Sequence, residues 1–217
     1  LTLVEAAVET LESALAAERG GANRIELCAN LSVGGTTPDT GLIAAVSERM
    51  RIPVFVMIRP RGGGFAYSKD DIDAMSRGIE LAASIGIAGI VTGALTQHGQ
   101  LDVEHTRTLL NAAAGLPVTF HRAFDVVADP RTALEQLIDL GVSRVLTSGG
   151  AATAAEGADS IAALVDQTRG RIAVIAGGGI REHNARAVIA RTGVGEIHTR
   201  FIDEAGLRGL VDLVTRG

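Results

Sequence analysis

Short runs rich in valine and isoleucine alternate along the chain with longer segments rich in alanine and leucine. In the longer segments the apolar positions recur at helical spacing. The short runs predict strands at Leu3–Val8, Arg24–Cys28, Val54–Arg59, Gly89–Gly93, Val118–His121, Arg144–Thr147, Ile172–Ala176 and Glu196–Thr199. A strand–helix unit therefore repeats eight times, roughly every 27 residues, which suits a compact (β/α)8 barrel. An open, doubly wound sheet is the alternative, and eight evenly spaced units favour closure. No proline- or serine-rich linker and no charge run divides the units, so one domain over residues 1–217 is expected.

Start and stop signals frame the helices. Thr37-Pro38 and Asp129-Pro130 each offer a capping side chain before a proline at the first helical position. Ser68 followed by Asp71 offers a cap and an acid in the first turn. Gly20-Gly21, Gly86, Gly141 and Gly193 follow alanine- and leucine-rich runs, as helix C-termini do.

Neighbouring strand residues point to opposite faces. In a barrel one face meets the helices and must be apolar, while the other points inward and borders the mouth near the strand's C-terminal end. Ile25 and Leu27 are apolar, so Glu26 and Cys28 turn in; Val54, Val56 and Ile58 leave Phe55, Met57 and Arg59 inside. Thr119 and His121 turn in on the fifth strand, Glu196 and His198 on the eighth, and Glu5 shares a face with Leu3 and Ala7 on the first. The expected mouth therefore holds Glu5, Glu26, Arg59, His121 and His198, with Cys28 at its rim. A single inward ion pair, such as Glu26 with Arg59, can be purely structural. Five ionisable groups on one inner face cost too much to bury without a purpose.

Composition narrows the chemistry. The net charge of −5 disfavours a compact nucleic-acid binder, which carries a basic excess. Only Lys69 among the 20 cationic residues is a lysine, so a Schiff base would depend on it alone. The single cysteine, Cys28, excludes an intramolecular disulfide and a two-thiolate clamp within the chain. No apolar run approaches the ~20 residues of a membrane span. The opening Leu1-Thr2-Leu3-Val4-Glu5 lacks a basic leader, and the cytoplasm is the expected location.

Three loops carry candidate chemistry. Gly177-Gly178-Gly179 follows the seventh strand and precedes a helix, the usual place of an anion site in this fold. Arg59-Pro60-Arg61 leads into Gly62-Gly63-Gly64, where paired guanidinium groups can clamp an anion. In His121-Arg122-Ala123-Phe124-Asp125 the aspartate can orient His121 or pair with Arg122. These residues suit proton transfer on a small anionic or phosphorylated metabolite, as in an isomerase, epimerase or lyase. Glu5 or Glu26 would be the base and His121 or His198 the acid. Glu5, Glu26 and His121 are also donors for Mn²⁺ or Zn²⁺. Copper(I) prefers soft sulfur, and Cys28 and Met57 lie on inward faces of adjacent strands. His98, His105 and His183 read as solvated, and Asn184 as a packing or capping residue.

Several ordered blocks resemble the CutC copper homeostasis family. They are Ala17–Cys28, Ile52–Gly63, Leu116–Asp125, Arg144–Gly149 and Gly177–Ile180, spread from about Val4 to Arg200. The resemblance implies a TIM barrel, a cytoplasmic homo-oligomer, and copper as ligand or cofactor, with Cys28 as its metal-binding residue. It also implies departures. Ala7 stands where the family carries a strand-one cysteine, Gly64 stands where it carries an aspartate, and Thr199-Arg200-Phe201 follows His198. Whether the mouth catalyses a reaction is left open by these residues.

Overall fold

The computed structural model describes residues 2–215. Eight parallel strands close a barrel in chain order: β1 (Leu3–Val8), β2 (Arg24–Leu27), β3 (Val54–Met57), β4 (Gly89–Thr92), β5 (Val118–Phe120), β6 (Arg144–Thr147), β7 (Ala173–Gly177) and β8 (Glu196–Arg200). Around them run α1 (Leu11–Arg19), α2 (Thr40–Arg49), α3 (Lys69–Ile85), α4 (Val103–Ala113), α5 (Pro130–Asp139), α6 (Ala158–Thr168), α7 (Glu182–Thr192) and α8 (Glu204–Thr215). The ring closes where β1 pairs with β8, setting Glu5 beside His198. On its other side β1 pairs with β2, setting Glu5 beside Arg24 and Ala7 beside Glu26.

The helix-facing side of the strands is apolar. Val4, Ile25, Leu27, Val56, Ile58, Ile90, Phe120, Val145 and Ile197 are buried against helix residues such as Ile79, Leu109, Leu137 and Ile161. This shell supplies most of the buried apolar area, and so most of the drive to fold.

The capping signals place most helix ends. Ser68 and Asp71 form a reciprocal capping box at α3, and Asp129 accepts from the first amides of α5 with Pro130 at its first position. Gly21, Gly86, Gly141 and Gly193 all take positive φ. The expectation at Thr37-Pro38 is corrected. α2 begins at Thr40 and its cap is Asp39, which accepts from the Leu42 amide. Thr37 instead exchanges hydrogen bonds with the backbone of Arg59, so it ties two loops together. Asn184 caps α7, accepting from the Arg181 amide and donating to the Gly179 carbonyl.

The barrel interior is polar in two layers. The lower one holds Arg24, Phe55, Arg144 and Glu196; the upper one opens to the mouth. Close packing fixes two strand glycines. A methyl group on Gly89 would meet the Phe55 ring at 2.5 Å, and one on Gly177 would meet Leu146 at 2.6 Å.

Candidate active site at the barrel mouth

Strand alternation places Glu5, Glu26 and His198 together. Glu5 Oε1 lies 2.8 Å from His198 Nδ1, and the other Glu5 oxygen accepts from Arg24 Nε. His198 Nε2 lies 3.5 Å from one Glu26 oxygen. The second Glu26 oxygen, Oε1, is buried without a hydrogen-bond partner among the described residues. Arg24 also donates to Glu196 at 2.6 Å, which carries the network down to the lower layer.

The two carboxyls are driven in opposite directions. Burial pushes Glu5 up, but the hydrogen bond from His198 and the charges of Arg24 and His198 outweigh it and hold it at about 2. Glu26 is lifted to about 7, first by burial and further by the charge of Glu5, against the pull of His198. Burial opposes the charging of His198, yet Glu26 and Glu5 together raise it. The result is an ionised Glu5, a His198 shifted towards its charged form, and a Glu26 lifted towards neutrality.

His121 directly follows β5 and caps the short 3-10 turn at Arg122–Val126; its Nδ1 accepts from the Ala123 amide at 3.2 Å. The ring packs against Phe65, 5.0 Å between centroids, and is only 3% exposed. Burial first, and the Arg59 charge second, take the imidazole down to about 3. Arg59 forms no pair with Glu26. Its guanidinium donates to the carbonyls of Val33, Gly35 and Gly63 at 2.8–3.0 Å and lies over Phe65, gathering two loops around the mouth.

A cavity of about 610 Å³ opens there, and its wall includes Glu26, Arg59, Phe65, His121, Arg122, Leu146, Gly178, Gly179, Arg181, His198 and Arg200. Four guanidinium groups in the wall, against the single carboxyl of Glu26, favour an anionic ligand. Gly178 and Gly179 have φ of 102° and 73°, values that glycine alone adopts without strain. A side chain on Gly178 would press on Ser148 and Arg122. Arg122 donates to Asp125 at 2.7 Å and to Ser148 at 2.8 Å, so Asp125 steadies Arg122 and does not orient His121.

Other expected residues sit elsewhere. Arg61 turns away from the cavity; it lies over Tyr67 and reaches Asp71 at 3.3 Å. His98 and His183 are exposed, and His105 pairs with Asp102. Arg181 and Arg200 belong to the wall but escape the sequence reading. Arg200 is two residues beyond His198 on the same strand face, so extending β8 by one residue would have found it. Arg24 and Arg144 escape too, because only ring closure shows that both flank the Phe55 ring at 4.9 Å.

Three metal-donor side chains converge here. Ligand atoms of Glu5, Glu26 and His198 all lie within 4.8 Å of one another, so His198 takes the place expected of His121 beside the two glutamates. Two carboxylates and an imidazole suit a divalent ion and not copper(I). Cys28 is fully buried with Phe55, Met57 and Val91, and burial, then the charges of Glu26 and Glu5, push its thiol well up. With Ala7 offering no donor, Cys28 and Met57 alone do not complete a copper(I) site.

Comparison with known proteins agrees with this architecture. The chain is 51% identical over 208 residues to the human copper homeostasis protein cutC homolog, covering 95% of this chain and 76% of that one. It is 49% identical over 208 residues to a CutC family protein of Xanthomonas axonopodis pv. citri, covering 96% and 84%. The solved structure of a CutC from Streptococcus agalactiae superposes with a TM-score of 0.89 at 36% identity, covering 93% of this chain and all of that one. The CutC family description matches residues 2–203, and the chain belongs to the CutC family.

Proposed function

We propose that this protein serves copper homeostasis, the role for which its relatives are named, and that it does so through an enzyme-like pocket at the barrel mouth. The pocket takes a small anionic ligand, and Glu26 and His198 move a proton on it. One observation carries this reading: a carboxyl that titrates near neutrality stands 3.5 Å from an imidazole, beneath a rim of arginines. A group poised near the working pH can both take and return a proton. The mouth at the C-terminal end of the strands is where this fold carries its chemistry. Glu5 favours the charged form of His198 and orients its ring, and Arg59 fixes the loops. Arg122, Gly178 and Gly179 face the anionic end of the ligand, and Arg61 is left outside this set.

Calorimetric titration with inorganic phosphate and glycerol phosphate tests it. Binding that weakens at least tenfold in Arg122→Gln supports the pocket; no binding, or binding that ignores the substitution, rejects it.

A second reading rests on the clustered donors. Divalent copper tops the affinity order for nitrogen and oxygen ligands, so Glu5, Glu26 and His198 are the copper site proposed for this chain. Copper(II) titration of the wild type and Glu26→Gln separates this from a thiolate site, which Cys28→Ser would abolish. The same reading puts the protein in the cytoplasm as a homo-oligomer of one domain. Among the described residues no helix is long and apolar enough to cross a membrane. The acidic charge gives no support to a nucleic-acid partner.

A further inference from the structure

The mouth contains a hydrogen-bond donor that neither the proton pair nor the arginine rim uses. His121 Nδ1 accepts from the backbone amide of Ala123, an amide that can only donate. That bond fixes the tautomer: the ring proton of neutral His121 sits on Nε2. Nε2 is buried and has no partner among the described residues, on a side chain that lines the cavity. Its surroundings hold the ring still. Phe65 packs against it at a tilt, and a methyl group on Gly93 would meet Nδ1 at 2.7 Å, so glycine at that position is what admits the ring. Arg59 is the charged group that acts on it.

A buried donor left unpaired is costly, and the cost is recovered when a ligand acceptor meets it. A neutral imidazole beside a guanidinium matches an oxygen that gains negative charge during a reaction, as an oxyanion hole does. We propose that His121 is a neutral electrophile of this site, whose Nε2–H holds the oxygen of a small carbonyl substrate bearing an anionic group, and that the reaction is enolisation. The inference rests on the mouth being the working pocket and deepens it to a substrate class.

The step balances within the residues present. The C–H bond next to the carbonyl breaks and its proton passes to the Glu26 carboxylate. The electron pair forms a carbon–carbon double bond, and the carbonyl π pair moves to the oxygen held by His121. Where the carbon that lost its proton carries a hydroxyl, that hydroxyl's proton passes to the oxygen held by His121, Glu26 returns its proton to the former carbonyl carbon, and the carbonyl re-forms one carbon along, giving an isomer. No oxidant or further reactant is needed.

The test joins spectroscopy with binding. In ¹⁵N spectra of the histidines, His121 is expected to keep the Nε2–H tautomer without titrating between pH 5 and 8. Two enolate mimics then probe the site: phosphoglycolohydroxamate, with a phosphate end, and oxalate, with a carboxylate end. One of them is expected to bind at least tenfold tighter than inorganic phosphate and to shift the Nε2 proton, which phosphate leaves in place. The tighter of the two tells which anionic end the site takes. That gain is expected to fall about 10- to 100-fold in His121→Phe, with phosphate affinity unchanged. His121→Gln, whose amide can accept from Ala123 and still donate, should retain part of it.

A His121 that becomes doubly protonated near neutrality, or that carries its proton on Nδ1, overturns the proposal. So do mimics that bind no tighter than phosphate, which would leave the anion pocket standing. If phosphate and both mimics fail to bind, the pocket itself falls, and this inference with it.

Discussion

Two layers of charged side chains cross the barrel interior, and they are finished differently. In the lower layer Arg24 sits between Glu5 and Glu196, Arg144 lies 3.5 Å from Glu196, and the two guanidinium groups flank Phe55. Each charge there has an opposite charge in reach, and the layer borders no ligand space. In the upper layer a Glu26 oxygen and the His121 Nε2 are buried without partners, beside a cavity. Burial alone therefore does not mark function in this barrel. Unpaired polar atoms do not mark it either, because Arg144 Nε and Nη1 in the lower layer are also buried without partners; what separates the layers is that the unused capacity of Glu26 and His121 borders a cavity.

The comparison breaks most sharply at Arg24. Removing one partner of a buried ion pair leaves charge under-compensated, and here two carboxylates each lose one of their cationic partners. Arg24→Ala is expected to cost about 3–5 kcal/mol in urea unfolding, the largest loss of any single substitution considered. A cost below about 1 kcal/mol would mean that the lower layer is not a structural ion network.

Glu26 should behave in the opposite way. Its folded pKa, about 7, lies above the ordinary 4.5. Between those values the folded protein holds a proton that the unfolded chain has released, so this contribution is full below pH 4.5 and is lost as pH rises towards 7. Glu26→Gln is expected to abolish proton transfer while stabilising the protein by about 1–3 kcal/mol at pH 8, and to flatten the stability profile between pH 5 and 7. Glu5, held at about 2, has the reverse sign: its stabilisation is present above pH 4.5 and is lost as acid is added towards pH 2. Unfolding curves across pH for wild type and Glu26→Gln read out both. A variant that loses activity and stability together would place Glu26 with the lower layer.

The contrast also marks what was legible in the chain. The ring was legible because each strand is a short apolar run with a helix behind it. The inward residues were legible because a charge set between two apolar neighbours, as Glu26 between Ile25 and Leu27, has only one face to take. Partnerships were not. Arg59 and Glu26 read as a natural pair, but Arg59 is spent on three loop carbonyls, and carbonyls carry no sequence signal. Arg24 and Arg144 stand at strand starts, where a cation usually reaches water; only the meeting of β1, β2, β6 and β8 turns them inward. Arg61 misled by proximity to Arg59: β3 has ended by then, alternation no longer applies, and the side chain follows the loop to Asp71.

Cys28 sharpens the boundary of the mouth. It stands one position beyond β2, yet its side chain is sealed among Phe55, Met57 and Val91. With its thiol pushed up by burial and by two nearby acids, little thiolate forms. Ellman's reagent is expected to react with the native protein only as fast as the protein opens, and Cys28→Ser to cost about 1–2 kcal/mol for a buried hydroxyl. Rapid labelling of folded protein would put Cys28 back among the groups that a ligand can reach.

The smallest expected stability effect lies at the rim. Arg200, at the end of β8, lines the mouth, more than half exposed and 3.8 Å from Glu9. An exposed pair at that distance is worth at most about 1 kcal/mol, and the median is near zero. Arg200→Ala should therefore leave urea unfolding unchanged. What it should change is capture of an anion, because a guanidinium at the lip raises the local potential that draws one in. Phosphate affinity is expected to fall about two- to fivefold at low salt, and the difference to shrink at 0.5 M salt, where the screening length drops to a few ångströms. The salt dependence is what discriminates. A loss of affinity that persists at high salt would make Arg200 a direct contact of the ligand, while no loss at any salt would confine the site to the ring of Arg59, Arg122 and Arg181 deeper in the wall.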